Sequence, residues 1–278
     1  MLDKIFLYYT TYPTIRYSTL ALILISLCAA LLGVTLVLKR FSMIGDGLSH
    51  VTFGAASIAT AMGLTTPIYV SLPITVIAAV LLLKIRSSTR VQGDAAIAMV
   101  SAGSLAFGYL ILNLFPSSSS ISGDACSNLF GSGILGIKKS DVIVCAVLSL
   151  IVLFVFIFFY NKIFAITFDE SFASATGTRA SLYNTLVAII TGVIIVVAMN
   201  MVGALLIAAL ITFPALSAMR IFKTFKSVVI CSALISIFCA LVGIAVSLIA
   251  KTPIGSTIVM ADMIVFGIFT LVGKICKK

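Results

Sequence analysis

The sequence predicts an all-α polytopic membrane protein with eight or nine transmembrane helices, and its composition and hydropathy carry this prediction. Hydrophobic residues make up 62% of the 278 residues, charged residues make up 9%, and the mean hydropathy is +1.28. A soluble domain carries about 25% charged residues, because its surface must face water. This chain has too few polar residues to cover a globule, so lipid must surround most of it.

The apolar runs along the chain have the length that a membrane-crossing helix requires. About 20 apolar residues, rising 1.5 Å each, cross the hydrocarbon layer. The second run is the least regular, because it contains the segment GDGLSH at residues 45–50. No linker is long enough to divide the chain, so we expect residues 1–278 to form a single transmembrane domain. The predicted spans are 17–38, 43–62, 66–85, 94–115, 141–160, 183–201, 203–219, 227–249 and 255–273.

The net charge of +10 comes from short basic clusters that separate the apolar runs. This placement is typical of cytoplasmic loops under the positive-inside rule. It argues against nucleic-acid binding, which needs basic residues on one contiguous solvent-facing surface. Alternation then places loops 116–140 and 250–254 outside, and Pro116 with four consecutive serines predicts irregular chain in the first of them. The predicted cytoplasmic segments are Lys39–Arg40, 86–92, 161–182, 220–226 and the C-terminus.

Asp46 and His50 are ionisable residues inside an apolar span. Counting 1.5 Å per residue places His50, the only histidine, about 15 Å beyond Arg40 and close to the middle of the bilayer. An ionisable side chain at that depth costs several kcal/mol unless it is paired or lines a watery cavity. A spacing of four residues puts both side chains on one face of a helix.

An imidazole nitrogen and a carboxylate oxygen at this spacing can share one divalent cation. Mixed nitrogen and oxygen ligation suits manganese, iron or zinc better than magnesium or calcium. The glycines on either side of Asp46 would let the backbone unwind and offer carbonyl ligands. The alternative is structural: Asp46 caps a helix and accepts a hydrogen bond from His50. Two ligands are too few for a complete site, so others must come from elsewhere.

Three further residues are weaker candidates for an ion pathway. Met199 and Asn200 end a span on its outer side, where thioether and amide groups can touch a passing metal, although packing is the ordinary role of such a methionine. Asp262 is a second buried acid, which either hydrogen-bonds a neighbouring helix or lies on the pathway. The chain has no H-E-x-x-H, G-x-S-x-G or nucleotide-binding G-x-x-x-x-G-K-[ST] motif. We therefore expect no enzymatic activity, with any ATP bound by another polypeptide.

The cytoplasmic segment 167–178 carries the signals of a short capped helix. Thr167 is the predicted N-cap, and Glu170 is its reciprocal partner in a capping box. Gly177 is the predicted C-terminal stop. Asp169 and Glu170 also complement the positive end of the helix dipole.

Phe168 and Phe172 lie one turn apart and form an apolar ridge on this short helix. Such a ridge can rest on the bilayer or receive a soluble partner. The two acids at the start of the helix fit an anionic lipid surface poorly, which favours a docking role.

Five stretches of this sequence, in order, resemble the permease subunits of bacterial zinc, manganese and iron ATP-binding-cassette importers. The GDGLSH and TFDESFASATG elements are the specific ones, while the others are ordinary membrane sequence when taken singly. The stretches are LVLKRFSMIGDGLSHVTFGAA (36–56), GDAAIAMVSAGSLAFGYLI (93–111), NLFGSGILGIKKSDV (128–142), TFDESFASATGT (167–178) and MVGALLIAALITFPALSAM (201–219).

The resemblance implies the fold of a type II importer permease in the bacterial cytoplasmic membrane. It implies a homodimer or a pair with a similar permease, two ATP-binding subunits and an extracytoplasmic metal-binding protein. Asp46 and His50 would contribute the intramembrane cation site, and 167–178 would be the coupling helix that seats in the ATPase. No cofactor would be permanently bound, and the transported ion would be manganese, zinc or iron.

The alternative function is an ion- or proton-coupled secondary carrier that works without an ATPase. In that case His50 would be a proton relay. Carriers of this kind bury more paired charges than this chain contains, which favours the importer.

Overall fold

The computed structural model describes residues 13–64, 66–85, 93–115 and 137–276, and within these ranges the chain forms eleven helices and no strand. Nine helices are long: α1 (Pro13–Leu38), α2 (Ile44–Ala61), α3 (Ile68–Ile85), α4 (Gly93–Leu114), α5 (Lys139–Phe158), α8 (Ala180–Val202), α9 (Ala204–Ile221), α10 (Phe225–Ala250) and α11 (Ile254–Cys276). Between α5 and α8 lie two short helices, α6 (Tyr160–Phe168) and α7 (Glu170–Ala175).

The nine long helices coincide with the nine predicted spans, and no boundary differs by more than four residues. Seven of them are long and apolar enough to cross a membrane by length and composition alone. The other two are α2, which carries Asp46 and His50, and α3, a shorter apolar helix of 18 residues. Both lie against other helices of the bundle, so protein replaces part of the lipid around them.

Helix α1 occupies the centre of the bundle. In its most apolar stretch 72% of the residues are buried, and it packs against α5, α9 and α10. Gly33 permits the closest approach, because a Cβ at this position would lie 2.1 Å from the carbonyl oxygen of Ile211 in α9. Helices α4 and α11 lie at the periphery, where only 11% and 17% of the corresponding stretches are buried.

A single residue, Gly203, connects α8 to α9. Its φ of +90° lies in a region that glycine adopts without steric cost. The reversal brings the outer end of α8 next to α9, and Ile194, Leu206 and Leu210 of these helices belong to one buried core.

Most of the predicted outward loop 116–140 lies outside the described residues, as do the basic segment 86–92 and the last two lysines. The part of this loop that the structure describes begins at Ile137 and leads directly into α5.

Candidate metal site and coupling helix

The first turn of α2 holds Asp46. Met43 is the N-cap and forms no side-chain hydrogen bond with the helix, so Asp46 is the third helical residue and not the cap. Its negative charge lies at the positive end of the helix dipole, which stabilises it. The structural alternative, in which Asp46 is the helix cap, therefore does not hold, although the acid does complement the helix end.

His50 follows one turn later and points its Nε2 atom at Asp46. The distance from Nε2 to Oδ1 of Asp46 is 3.5 Å. This is longer than an ordinary N–H···O hydrogen bond of about 2.7–3.2 Å. If both atoms bound one cation at about 2.1 Å, a separation of 3.5 Å would correspond to an angle of about 110° at the metal, close to tetrahedral. The separation of the two atoms is therefore compatible with their binding one small divalent ion.

The two residues lie nearer the Lys39–Arg40 end of the bundle than the sequence count suggested. Residues 39–43 form a turn, and α2 begins only at Ile44. His50 is therefore about 9 Å along the helix from its start, not 15 Å beyond Arg40. The side chain of His50 is 15% exposed and that of Asp46 is 43% exposed, so an ion can reach the carboxylate.

The glycines beside Asp46 bring neighbouring helices close, and α2 remains a regular helix through them. A Cβ on Gly45 would lie 3.1 Å from Cα of Ala208 in α9, and one on Gly47 would lie 2.4 Å from Cγ2 of Ile97 in α4. The expectation of an unwound backbone with free carbonyl ligands is therefore wrong. The glycines instead position Asp46 between two packed helices.

The described residues contain no group of three or more histidine, cysteine, aspartate or glutamate side chains that could hold a metal. Asp46 and His50 would supply only two ligands to a bound metal. A transition metal takes four or more, so further ligands would have to come from outside this pair.

Met199 and Asn200 lie at the outer end of α8. Met199 packs with Phe53 of α2 and Ala204 of α9. Phe53 follows His50 by three residues, so Met199 lies about one helical turn further outward than the metal pair. The side-chain amide of Asn200 is exposed and donates a hydrogen bond to the Val196 carbonyl oxygen at 2.8 Å.

Asp262 on α11 is only 1% exposed. Neither carboxylate oxygen has a well-formed hydrogen bond among the described residues, and the interaction recorded for this carboxyl is with the Cys239 thiol of α10, a weak hydrogen-bonding group. Helix α11 packs closely on α9 and α10, and α2 is not among its close neighbours. The fold therefore does not bring Asp262 together with Asp46 and His50.

The predicted coupling segment forms α6, a break at Asp169 and the short helix α7. Asp169 has extended backbone and is the N-cap of α7, and its Oδ1 accepts a hydrogen bond from the Phe172 amide at 2.9 Å. Thr167 belongs to α6 and donates to the Ile163 carbonyl oxygen at 2.6 Å. The prediction of a capping box between Thr167 and Glu170 is therefore wrong. Because α6 continues to Phe168, the N-cap of α7 is Asp169, two residues later than predicted.

The C-terminal end of α7 follows the sequence prediction. Gly177 has a φ of +83°, which an L-residue adopts only at a cost. Its amide donates to the Ser174 carbonyl oxygen at 3.1 Å, and the Thr178 amide donates to that of Ala173 at 3.0 Å. This is the Schellman arrangement of a terminated helix.

Phe168 and Phe172 are both exposed, but they do not form a ridge on one helix as predicted, because Phe168 ends α6 and Phe172 belongs to α7. Phe168 and Phe172 are 60% and 64% exposed. Phe168 packs on Phe164 and on Phe225 of α10, with ring centroids 4.9 and 6.1 Å away. Ala173, on the opposite side of α7, is fully buried against Ile166 and Ala180. One face of α7 is thus fixed to the bundle, while Phe168 and Phe172 are available to a partner.

A polar cavity of about 610 Å³ lies behind the coupling helix. Lys39 and Lys84 line it together with Glu170, Ser171 and Ser174. Lys39 is buried, and its ammonium group hydrogen-bonds the Asn184 side chain of α8. This basic residue, predicted from its cluster to mark the cytoplasmic side, also ties α1 to α8.

Comparison with known proteins agrees with this architecture. The manganese import system permease protein ScaB of Streptococcus gordonii is 25% identical over 244 residues, which cover 88% of this chain and 86% of that protein. The high-affinity zinc uptake system membrane protein ZnuB of Buchnera aphidicola is 27% identical over 243 residues, covering 87% and 91%. The solved structure of PsaBC from Streptococcus pneumoniae in complex with Fab has the same fold, with a TM-score of 0.82, 22% identity and coverage of 97% of this chain and 95% of that one.

A family model extends these pairwise similarities over nearly the full length. The model of the ABC 3 transport family matches residues 11–273. This chain, a multi-pass membrane protein by its apolar helices, therefore belongs to the ABC 3 transport family.

Proposed function

We propose that this chain is the membrane-spanning subunit of an ATP-driven importer of a divalent transition metal, with manganese, zinc or iron as the transported ion. The observation that carries the proposal is the Asp46–His50 pair, 3.5 Å apart on a helix enclosed by an apolar bundle. A pair of ionisable side chains in such a position is a default candidate for an ion pathway. The manganese and zinc systems to which the two relatives belong support a metal as the substrate.

In this proposal the ion passes from an extracytoplasmic metal-binding protein to Asp46 and His50. Met199 and Asn200 border the route on its outer side. The carboxylate supplies charge and the imidazole supplies a nitrogen ligand that excludes magnesium and calcium better than oxygen would. Two ligands from one chain bind weakly enough to release the ion, and a second permease copy adds further ligands.

ATP hydrolysis takes place on a separate subunit that docks on α7. Phe168 and Phe172 provide the apolar contact, and Asp169 and Glu170 hold the start of the helix in place. Because Ala173 fixes α7 to α6 and α8, a movement of the ATPase is transmitted to the bundle. The Gly177 turn passes that movement directly to α8.

The test is metal accumulation in a bacterial strain that lacks its own importer. The chain is co-expressed with the ATPase and the metal-binding protein, as wild type, His50→Ala and Asp46→Asn, at matched membrane levels. Thr60→Ala is the control, since this α2 hydroxyl bonds only locally to the Ala56 carbonyl oxygen. We expect the wild type and the control to accumulate one metal, and both site variants to lose most of that uptake.

Normal uptake by His50→Ala would remove the metal site from the proposal. Uptake by the wild type without the ATPase would instead support the secondary carrier. Both results are distinguishable from a folding defect, because membrane levels are measured alongside uptake.

A further inference from the structure

A second cavity opens on the cytoplasmic side of the bundle, away from the metal pair. It is a groove of about 690 Å³ between the start of α6, the turn 177–179 and the first half of α8. Its floor is made by Phe159 and Tyr183, whose ring centroids lie 5.5 Å apart. Neither Asp46 and His50 nor the exposed Phe168 and Phe172 line this groove, so the proposed transport function leaves it unexplained.

One end of the groove is basic. Lys162 and Arg179 line it beside Thr178, and both charged side chains are exposed. No acidic residue lines the groove. Within the part of the chain that the structure describes, neither cation forms an ion pair with a carboxylate. This end of the groove therefore attracts an anion.

The other end is aliphatic. Leu182, Leu186, Ile189 and Ile190 continue along α8 from Arg179 into the membrane. Ile190 lies eleven residues beyond Arg179, a rise of about 16 Å. This is about half the thickness of the 30 Å hydrocarbon core, which is the length of one leaflet.

We propose that this groove binds one anionic phospholipid of the inner leaflet. The phosphate lies between Lys162 and Arg179, the Thr178 hydroxyl donates to it, and an acyl chain follows the aliphatic wall of α8. The charge of the basic end selects an anionic headgroup, and the length of the wall matches a lipid chain. Basic pockets at the cytoplasmic ends of transmembrane helices are suited to such headgroups.

A lipid bound in this groove would contact the turn between α7 and α8. Gly177 and Thr178 line it, and they form the turn between the coupling helix and α8. A bound headgroup therefore restrains the segment that joins α7 to the bundle.

Native mass spectrometry of the full-length chain in mild detergent, titrated with phosphatidylglycerol, tests the proposal. Each basic contact with an anionic headgroup is worth about a factor of five in affinity, so Lys162→Ala/Arg179→Ala should bind about 25-fold more weakly. The charge-conserving variant Lys162→Arg/Arg179→Lys should bind as the wild type does. Phosphatidylcholine should bind the wild type no better than it binds the alanine variant.

Lys223→Ala/Lys226→Ala is the matched control, because it removes two exposed charges from another cytoplasmic turn. It should keep the wild-type affinity. Unchanged binding by Lys162→Ala/Arg179→Ala, or an equal loss in the control, would overturn the proposal, since attraction would then be to the whole surface. A benzophenone amino acid placed at Leu186 should form adducts with lipid after illumination of membranes. Cross-links to a second copy or to another protein would assign the groove to that partner instead.

Discussion

The polar residues buried in this bundle differ in the partners that the fold gives them. Lys39 hydrogen-bonds Asn184, and Asp46 faces His50 across 3.5 Å. Asp262 is far more buried than Asp46, and it interacts only with the weakly polar Cys239 thiol among the described residues. A carboxyl with so weak a partner in an apolar interior is energetically costly, so it either serves a function or simply destabilises the protein. These two explanations of Asp262 predict opposite results.

Replacing Asp262 with leucine separates them. Since α11 packs on α9 and α10, away from the metal pair, we expect Asp262→Leu to retain metal uptake. Removing a buried carboxyl whose recorded partner is only the weak Cys239 thiol should also stabilise the protein by about 1–3 kcal/mol. Thermal unfolding of the purified chain in detergent measures the second effect. A variant that is stable but inactive would place Asp262 on the ion route.

At the scale of single residues, the sequence identified the ionisable pair because charged side chains stand out in an apolar run. It did not predict how Gly45 and Gly47 are used. Both flank an acid, which suggested unwinding, but their close contacts are with Ala208 and Ile97, far away in sequence. Local pattern carries no information about which distant helix will pack on a glycine.

Among the described helices, α2 and α4 share the most extensive contact, and glycine makes this possible. A Cβ on Gly54 would lie 2.8 Å from the carbonyl oxygen of Ser104, a backbone atom that cannot move by changing rotamer. Gly108 of α4 also permits close packing, since a Cβ at this position would lie 2.9 Å from the ring of Phe53. The metal pair is on α2, so its position depends on this interface.

Gly54→Val should therefore push α2 away from α4. We expect a destabilisation of about 1–3 kcal/mol, typical of overpacking, together with reduced metal uptake. Gly103→Val is the matched control, since a Cβ at Gly103 of α4 has no heavy atom within 4 Å. Thermal unfolding and uptake should both be near wild type for the control. Equal effects from the two substitutions would mean that valine acts through helix propensity and not through this contact.

The second prediction at this scale concerns α7, the proposed coupling helix. Phe172 is 64% exposed, so its truncation leaves the bundle intact. If it is a central contact for the ATPase, Phe172→Ala should weaken the complex by about 2 kcal/mol or more, roughly 30-fold in affinity. Co-purification of the ATPase with the tagged permease measures this. Phe222→Ala, at an exposed aromatic residue in the turn after α9, should have little effect; equal losses would remove the specific role of Phe172.

The ends of α7 show why only part of this element was predictable. Gly177 is a strong local signal, because its positive φ terminates a helix whatever surrounds it. The start depends on where α6 ends, and α6 continues to Phe168 because Ile163 and Ile166 bury their side chains in the bundle. Tertiary packing therefore moved the N-cap from Thr167 to Asp169.

Over the whole molecule, composition predicted the class of fold, and the apolar runs predicted the positions of the nine long helices in the described part of the chain. Lipid requires long apolar helices, and each leaves a clear signature in the sequence. Which helix occupies the centre was not predictable, because α1, α5 and α10 are about equally apolar, with hydropathies of 2.8, 3.0 and 2.7. Apolar side chains face lipid or protein equally well, so hydropathy does not distinguish them.

The orientation of the molecule is the last prediction, and the proposed ATPase contact depends on it. The basic clusters place α7 in the cytoplasm and the 250–254 turn outside. Single cysteines replace Ser171 and Thr252, both exposed, in a background without Cys126 and Cys276. A membrane-impermeant maleimide should label Thr252→Cys in intact cells and Ser171→Cys only after permeabilisation. The parent background controls for the remaining cysteines, of which Cys28, Cys145 and Cys239 are buried. The reverse labelling pattern would place Phe168 and Phe172 outside the cell, where no ATPase could reach them.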